Sequence, residues 1–158
     1  MNGSASDRFD PDGITTRAML VTLLYRLEKE PAVSGRNPFD DVENGRWYTD
    51  AVIWANDNGI VTGYGDGRFG PMDPITREQF AAILFRYAGN RGYDTSKAAE
   101  LSGYEDASRI SPWALDAMKW ANAERLITGR TATLLIPGGN TTRAEAAAIL
   151  MRFIEKTK

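Results

Sequence analysis

Three arginines recur at one place in a repeated motif: Arg17, Arg77 and Arg143. They follow Thr15-Thr16, Ile75-Thr76 and Thr141-Thr142, and each opens an apolar run of helical period. A cation in the first turn of a helix opposes the helix dipole, so a sequence chosen for stability alone would carry Asp or Glu there. A planar guanidinium fork beside free helix-terminal amides would suit a carboxylate. The competing reading is an arginine tied to Asp41 or Asp106 in a structural network. Two tryptophans, Trp47 and Trp113, open a second kind of helix. An aromatic face at such a place suits the C–H surface of a sugar, whereas a packed one is simply core. Asp41 and Asp106 would accept sugar hydroxyls, hold an arginine, or serve as loop and cap residues.

Other chemistries are excluded by what the chain lacks. It has no cysteine and no histidine, which removes thiol nucleophiles, imidazole bases and His/Cys metal sites together. The absence of cysteine also fits an exported bacterial protein, without requiring one. Asp10-Pro11-Asp12-Gly13 suggests a calcium loop, but placing Gly13 at loop position six puts Arg8 at position one and Met19 at position twelve, so the ligands fail. No metal or cofactor is expected. The acidic residues recur with the repeats and leave no unique pair of carboxylates in two environments, so an enzyme is not expected. Nineteen basic against 21 acidic residues give a net charge of −2, which does not predict nucleic acid as a partner. No apolar run is long enough to span a membrane.

The residues singled out must be positioned by helices. Three residues past each arginine lie Leu20, Phe80 and Ala146; six past, Leu23, Ile83 and Ile149; seven past, Leu24, Leu84 and Leu150; ten past, Leu27, Tyr87 and Phe153. These offsets share one helix face, giving three equivalent inner helices. Thr76 with Gln79 and Thr142 with Glu145 form capping boxes, while Thr16 has Met19 in that place and keeps the cap alone. Arg26, Arg86 and Arg152, nine past each start, read as a solvated face near the helix end. Between the inner helices lie two outer ones. Trp47, Asp50, Ala51, Trp54, Ala55 and Asn56 find the same residues 66 positions later. Ser111-Pro112 marks the second outer start as cap and first helical position. Trp54 and Trp120 belong to the core stripe.

The pattern Phe39-x-Asp41-Val42, Trp47, Trp54-Ala55, Gly59-Ile60-Val61-x-Gly63, Asp66-Gly67-x-Phe69-x-Pro71, Ile75-Thr76-Arg77-Glu78 resembles the S-layer homology domain. Thr142-Arg143-Ala144-Glu145 is that family's most recognisable motif. The resemblance implies a pseudo-threefold helical spindle whose grooves hold pyruvylated secondary cell-wall polysaccharide at a Gram-positive surface. It implies Arg17, Asp41, Trp47, Arg77, Asp106, Trp113 and Arg143 as polysaccharide-binding residues. Repeat 3 departs from the pattern at Ala132-Thr133-Leu134-Leu135 and Arg125, and repeat 2 at Glu78-Gln79.

The expectation is therefore an all-α, pseudo-threefold domain with a central three-helix bundle and outer helices. It comprises a half repeat (7–36), repeat 2 (37–100) and repeat 3 (101–158), after an unstructured or appended start (1–6). Its expected work is non-catalytic anchoring at the bacterial cell surface through an acidic cell-wall polysaccharide. The alternative is a protein-interaction or assembly module using an exposed apolar groove. Leu23, Ile83 and Ile149 are expected to meet near the threefold axis. Arg77 is expected to share a cleft with Asp106 or Trp113, and Arg17 one with Asp41 or Trp47. The first inner helix has no outer helix before it, so an uncovered apolar face, and self-association through it, are expected there.

Overall fold

The computed structural model describes residues 10–157; the expected start at residues 1–6 lies outside them. Five α-helices follow in order: α1 (Arg17–Leu27), α2 (Thr49–Asp57), α3 (Arg77–Asn90), α4 (Leu115–Ala123) and α5 (Arg143–Lys156). The fold is all-α, and the only β pairing among the described residues is a set of isolated bridges. Helices α1, α3 and α5 are the inner set; α2 and α4 are the outer set.

Each inner helix starts where its threonine stops the preceding extended segment. Thr16, Thr76 and Thr142 accept hydrogen bonds from the amides of Met19, Gln79 and Glu145, at 3.2, 3.2 and 3.1 Å. Gln79 and Glu145 reach back to complete the box. Met19 does the same with its sulfur, which takes the Thr16 amide at 3.4 Å. The box expected to be absent is thus present in a weak form, because a thioether is a poor acceptor.

The threefold arrangement is closed by backbone. Thr15 N–H donates to Thr141 C=O at 2.9 Å, Thr141 N–H to Ile75 C=O at 2.9 Å, and Ile75 N–H to Thr15 C=O at 2.8 Å. These three bonds form a ring, and the three residues are fully buried. The recurring prolines serve the same closure. Pro71, Pro137 and Pro11 offer their carbonyls to the amides of Ala18, Glu78 and Ala144, each in a different repeat from its own.

The outer helices act as wedges. Trp54 of α2 sits between Tyr25 of α1 and Tyr87 of α3, with centroids at 5.5 and 6.4 Å. Trp120 of α4 sits between Phe85 of α3 and Phe153 of α5, at 5.4 and 6.4 Å. Both tryptophans are buried, as the core-stripe reading requires. Each wedge meets an aromatic residue eight past one helix start and another ten past the next start, Tyr25 and Tyr87 or Phe85 and Phe153.

The third such notch, between α5 and α1, is aliphatic. Met151 and Leu27 hold the corresponding positions and are 59% and 41% exposed. They line a cleft of about 380 Å³ with Leu23, Leu150 and Ile154. The linker before α4 does not line it, and Ala99 N–H in that linker donates instead to Lys119 C=O of α4 at 3.0 Å.

Leu23, Ile83 and Ile149 do not meet at the axis. Leu23 faces this aliphatic cleft, while Ile83 and Ile149 each line one of two further grooves. Leu20, Phe80 and Ala146, three past each arginine, and Leu24 and Leu84, seven past the first two, are fully buried, whereas Leu150 of α5 borders the aliphatic cleft. Offset six lies at the edge of the apolar stripe and turns toward the groove.

Candidate functional site

Two grooves repeat one geometry. The first, about 330 Å³, is bounded by Arg17 at the start of α1, by Val61, Thr62, Gly63 and Tyr64 after α2, by Gln79, Ala82, Ile83 and Arg86 along α3, and by Trp113. The second, about 380 Å³, has Arg77, then Ile127, Thr128, Gly129 and Arg130 after α4, and Glu145, Ala148, Ile149 and Arg152 along α5. Gly63 turns the first loop at φ +75°, and a Cβ there would strike Phe39 at 2.5 Å.

The arginines reach these grooves from buried stems. Arg17 and Arg77 are 6% and 5% exposed. Arg17 donates its Nε–H to Phe69 C=O at 2.8 Å, and Arg77 donates to Leu135 C=O at 2.8 Å. The accepting carbonyls are themselves fixed by the aspartates. Asp41 accepts the amides of Phe69 and Gly70, both at 2.8 Å. Asp106 accepts those of Leu135 and Ile136, at 2.9 and 2.8 Å. The order aspartate, peptide, arginine is the same in both repeats. Burial pushes Asp106 up, but the two amide bonds outweigh it and hold the carboxyl below its ordinary value. Both aspartates are thus loop clamps behind the grooves, and neither makes an ion pair with an arginine among the described residues.

The amides beside the arginines are occupied. In α1, Arg17 N–H donates to Asp73 C=O at 3.0 Å, and in α3, Arg77 N–H donates to Gly139 C=O at 2.9 Å. The next amide binds a proline carbonyl and the third binds the capping threonine. The expected free helix-terminal amides are therefore absent from both grooves, because neighbouring repeats close the ring through them. Any anion there must be held by side chains.

The guanidinium heads differ. Arg17 lies over the Tyr64 and Phe69 rings, at 4.6 and 4.8 Å from the centroids. Burial lowers its pKa, and Tyr64, Asp73 and Asp41 oppose that shift. Tyr64 donates its hydroxyl to Asp73 at 2.7 Å and is pushed up to about 12, first by burial and then by this bond. The two Nη nitrogens of Arg17 have no protein partner among the described residues, and no carboxylate lines this groove. Arg77 is fully engaged: Nη1 donates to Glu145 at 2.7 Å and Nη2 to Thr128 C=O. Glu145 also accepts from Arg130 at 2.8 Å. Burial pushes Glu145 up, but the Thr142 amide and the arginines Arg130 and Arg77 outweigh it and keep the carboxylate ionised.

The tryptophans are not core. Trp47 and Trp113 are 58% and 56% exposed. Trp113 is the outer wall of the first groove, so Arg17 shares its cleft with Trp113, and not with Asp41 or Trp47 as expected. The cleft of Arg77 is lined by neither Asp106 nor Trp113. The expected pairing fails because Arg17 and Arg77 each bend into the loop of the following repeat, and Arg17 there meets the outer wall of the repeat beyond. Trp47 stacks edge-on against Tyr48, 5.0 Å between centroids. Arg143 is buried at the start of α5, beside Gly13, whose carbonyl takes the Arg143 amide at 2.8 Å. Trp113 is placed by Glu78: this buried carboxylate accepts from Ser111 N–H at 2.8 Å and Ser111 Oγ–H at 2.7 Å. Ser111 stands at the expected N-cap position with proline after it, but before a 3-10 turn, Pro112–Ala114, that precedes α4, and its side chain anchors the segment to α3 in place of making a cap bond.

Arg86 and Arg152 are groove residues, not a merely solvated face. The signal was present in their spacing, nine past each start, but their place on the helix wheel is ambiguous between solvent and groove wall. Tyr64 carried no such signal, because its counterpart is Arg130.

Comparison with known proteins gives this architecture a family. The family model of the S-layer homology domain matches residues 38–81 and 103–147. The chain is 36% identical over 162 residues to exoglucanase XynX of Acetivibrio thermocellus, covering 99% of this chain and 14% of that protein. It is 32% identical over 161 residues to the surface-layer 125 kDa protein of Lysinibacillus sphaericus, covering 98% of this chain and 13% of that protein. It is 24% identical over 163 residues to the cellulosome-anchoring protein of A. thermocellus, covering 99% of this chain and 35% of that protein. The chain thus spans a minor part of each relative's length. With the two matched segments covering more than half of it and falling on the two groove-forming repeats, the chain belongs to the S-layer homology domain family.

Proposed function

We propose that this chain is a non-catalytic anchoring module that binds an acidic cell-wall polysaccharide through its inter-repeat grooves. The family and its surface-layer relatives locate it at the bacterial cell surface or wall. The observation that carries the ligand reading is Arg17: a buried cation whose free Nη edge opens onto a cleft with a second arginine, an exposed indole wall and no carboxylate. A charged group so far out of water is costly unless an anion joins it. A pyruvyl ketal offers a carboxylate on a sugar ring, so the guanidinium fork takes the acid while Trp113 takes the C–H face. Arg77 holds the corresponding place in the second groove. Asp41 and Asp106 act by positioning the peptides that hold the arginines. Arg143 and Trp47 correspond to Arg17 and Trp113 in a third groove, whose loop wall would follow an outer helix before α1; among the described residues no helix precedes α1.

The test is retention on purified Gram-positive cell-wall sacculi, with and without chemical removal of pyruvate. Retention should fall when pyruvate is removed, and Arg17→Lys should weaken it because a point charge replaces a planar fork. Equal retention on depyruvylated walls refutes the acidic-ligand reading.

The aliphatic notch between α1 and α5 supports a second reading, that the domain also assembles with itself. Exposed Met151, Leu27 and Ile154 lie together there. Light scattering over a concentration series tests it: a constant monomer mass excludes self-association through this face.

A further inference from the structure

We propose that the two grooves are unequal, and that in the Arg77 groove the Glu145 carboxylate sits in the place a ligand's carboxylate takes in the Arg17 groove. This rests on the acidic-polysaccharide reading and assigns it to one site. The argument is a count of donors. Residue for residue, the grooves correspond: Thr62 with Thr128, Gly63 with Gly129, Ile83 with Ile149, Arg86 with Arg152. Val61 is Ile127 in the second groove, which also has no counterpart of the Trp113 wall, and two exchanges change the charge and hydrogen-bonding groups around the arginine. Gln79 in the first is Glu145 in the second, and Tyr64 in the first is Arg130 in the second.

Those exchanges decide what each arginine has left to offer. Gln79 spends its oxygen on the Thr76 amide at 3.0 Å and brings no charge. Arg17 then keeps both Nη groups free, over a tyrosine ring that orients the guanidinium plane. Glu145 spends one oxygen on the Thr142 amide at 3.1 Å and turns the other to Arg77 Nη1 at 2.7 Å. Arg130, arriving where Tyr64 stands, binds the same carboxylate. Nε, Nη1 and Nη2 of Arg77 each have a protein acceptor. An incoming carboxylate would have to displace one that is already half-buried and held by two arginines. In the second groove Arg77 is already paired with a carboxylate of the chain itself, although Arg130 and Arg152 leave the groove positive, so its helix-start arginine is not offered to an acid.

The exchange of one side chain between the grooves tests this. Isothermal titration uses a methyl glycoside carrying one pyruvyl ketal, with the ketal-free glycoside as control. The wild-type chain should bind one equivalent. Gln79→Glu should weaken that site at least about tenfold, the scale of one charge-assisted hydrogen bond. Glu145→Gln, which copies the arrangement found at Gln79, should open a second site. On the wild-type chain itself, amide shifts on titration should centre on Thr62 and Gly63; this readout needs no variant and stands if either one fails to fold. Two equal sites in the wild type, or shifts at Thr128 and Gly129 as large as those at Thr62 and Gly63, overturn the proposal while leaving acidic-polysaccharide binding intact. A folded Glu145→Gln chain with one site also overturns it. No binding of the ketal-bearing glycoside, with walls retained regardless of pyruvate, overturns the ligand reading on which the proposal rests.

Discussion

Replacing Asp41 by Asn tests the chain of contacts that fixes Arg17. The aspartate receives two backbone amides, from Phe69 and Gly70, each at 2.8 Å. The asparagine side chain is nearly the same shape but keeps one acceptor oxygen; its NH2 would confront the second N–H. One charge-assisted hydrogen bond is lost, worth about 1.5–3 kcal/mol, and one amide is left without a partner, at about 1–3 kcal/mol. Asp41 is half-buried, so water relieves part of the second cost. The expected loss is therefore about 2–3 kcal/mol. With a urea slope of about 2 kcal/mol/M, the unfolding midpoint should fall by roughly 1–1.5 M with the slope unchanged. Glycan retention, measured well below the melting temperature, should fall as well, because the Phe69 carbonyl that holds Arg17 Nε is no longer fixed. A midpoint within about 0.2 M of the wild type would refute the clamp. A large stability loss with undiminished retention would refute the link from Asp41 to the groove.

Other expectations follow from the same contacts. Trp120→Ala should cost about 3–5 kcal/mol by emptying a wedge, whereas Trp113→Ala should change stability by less than about 0.5 kcal/mol yet reduce retention on walls; thermal melts and pull-down separate the two. Glu78→Ala should cost about 1.5–3 kcal/mol and release the Trp113 segment, visible as a loss of near-ultraviolet circular dichroism. Asp106 and Glu145 both have folded pKa values below their ordinary ones. Their stabilisation is therefore present above the unfolded values of about 4 and is lost as pH falls through the folded ones. Melting temperature should drop steeply below about pH 4, and Asp106→Asn should be less stable at neutral pH but flatter across the acid range.

The helices were legible because their signals are local. Thr142 with Glu145 is read three residues apart, and the stripe from Leu20 to Leu27 within one helix. Which repeat faces which is not local. Arg17 meets Trp113 because of the direction in which three units turn about an axis, and no spacing within a unit encodes that direction. The same limit explains Ile83: a helix with an axis on one side and a groove on the other has a broad apolar arc, and its period does not say where core ends and groove begins. Trp54 and Trp47 illustrate the converse. Their spacing of seven puts them on related faces, yet one is wedged between aromatic rings and the other is open to solvent, a difference made by α3 arriving from elsewhere in the chain.

The ring made by Thr15, Ile75 and Thr141 has a mechanical consequence for any protein held to a wall under load. In an open stack of repeats, a terminal unit touches one neighbour and can be peeled away alone. Here each segment bonds the other two, so detaching any one breaks two of the three bonds at once and leaves the remainder with a single bond. A pull has no free end at which to start unzipping. Extension of a single molecule should give one rupture at one force, not a sawtooth with a tooth for each repeat: the latch holds whole or opens whole.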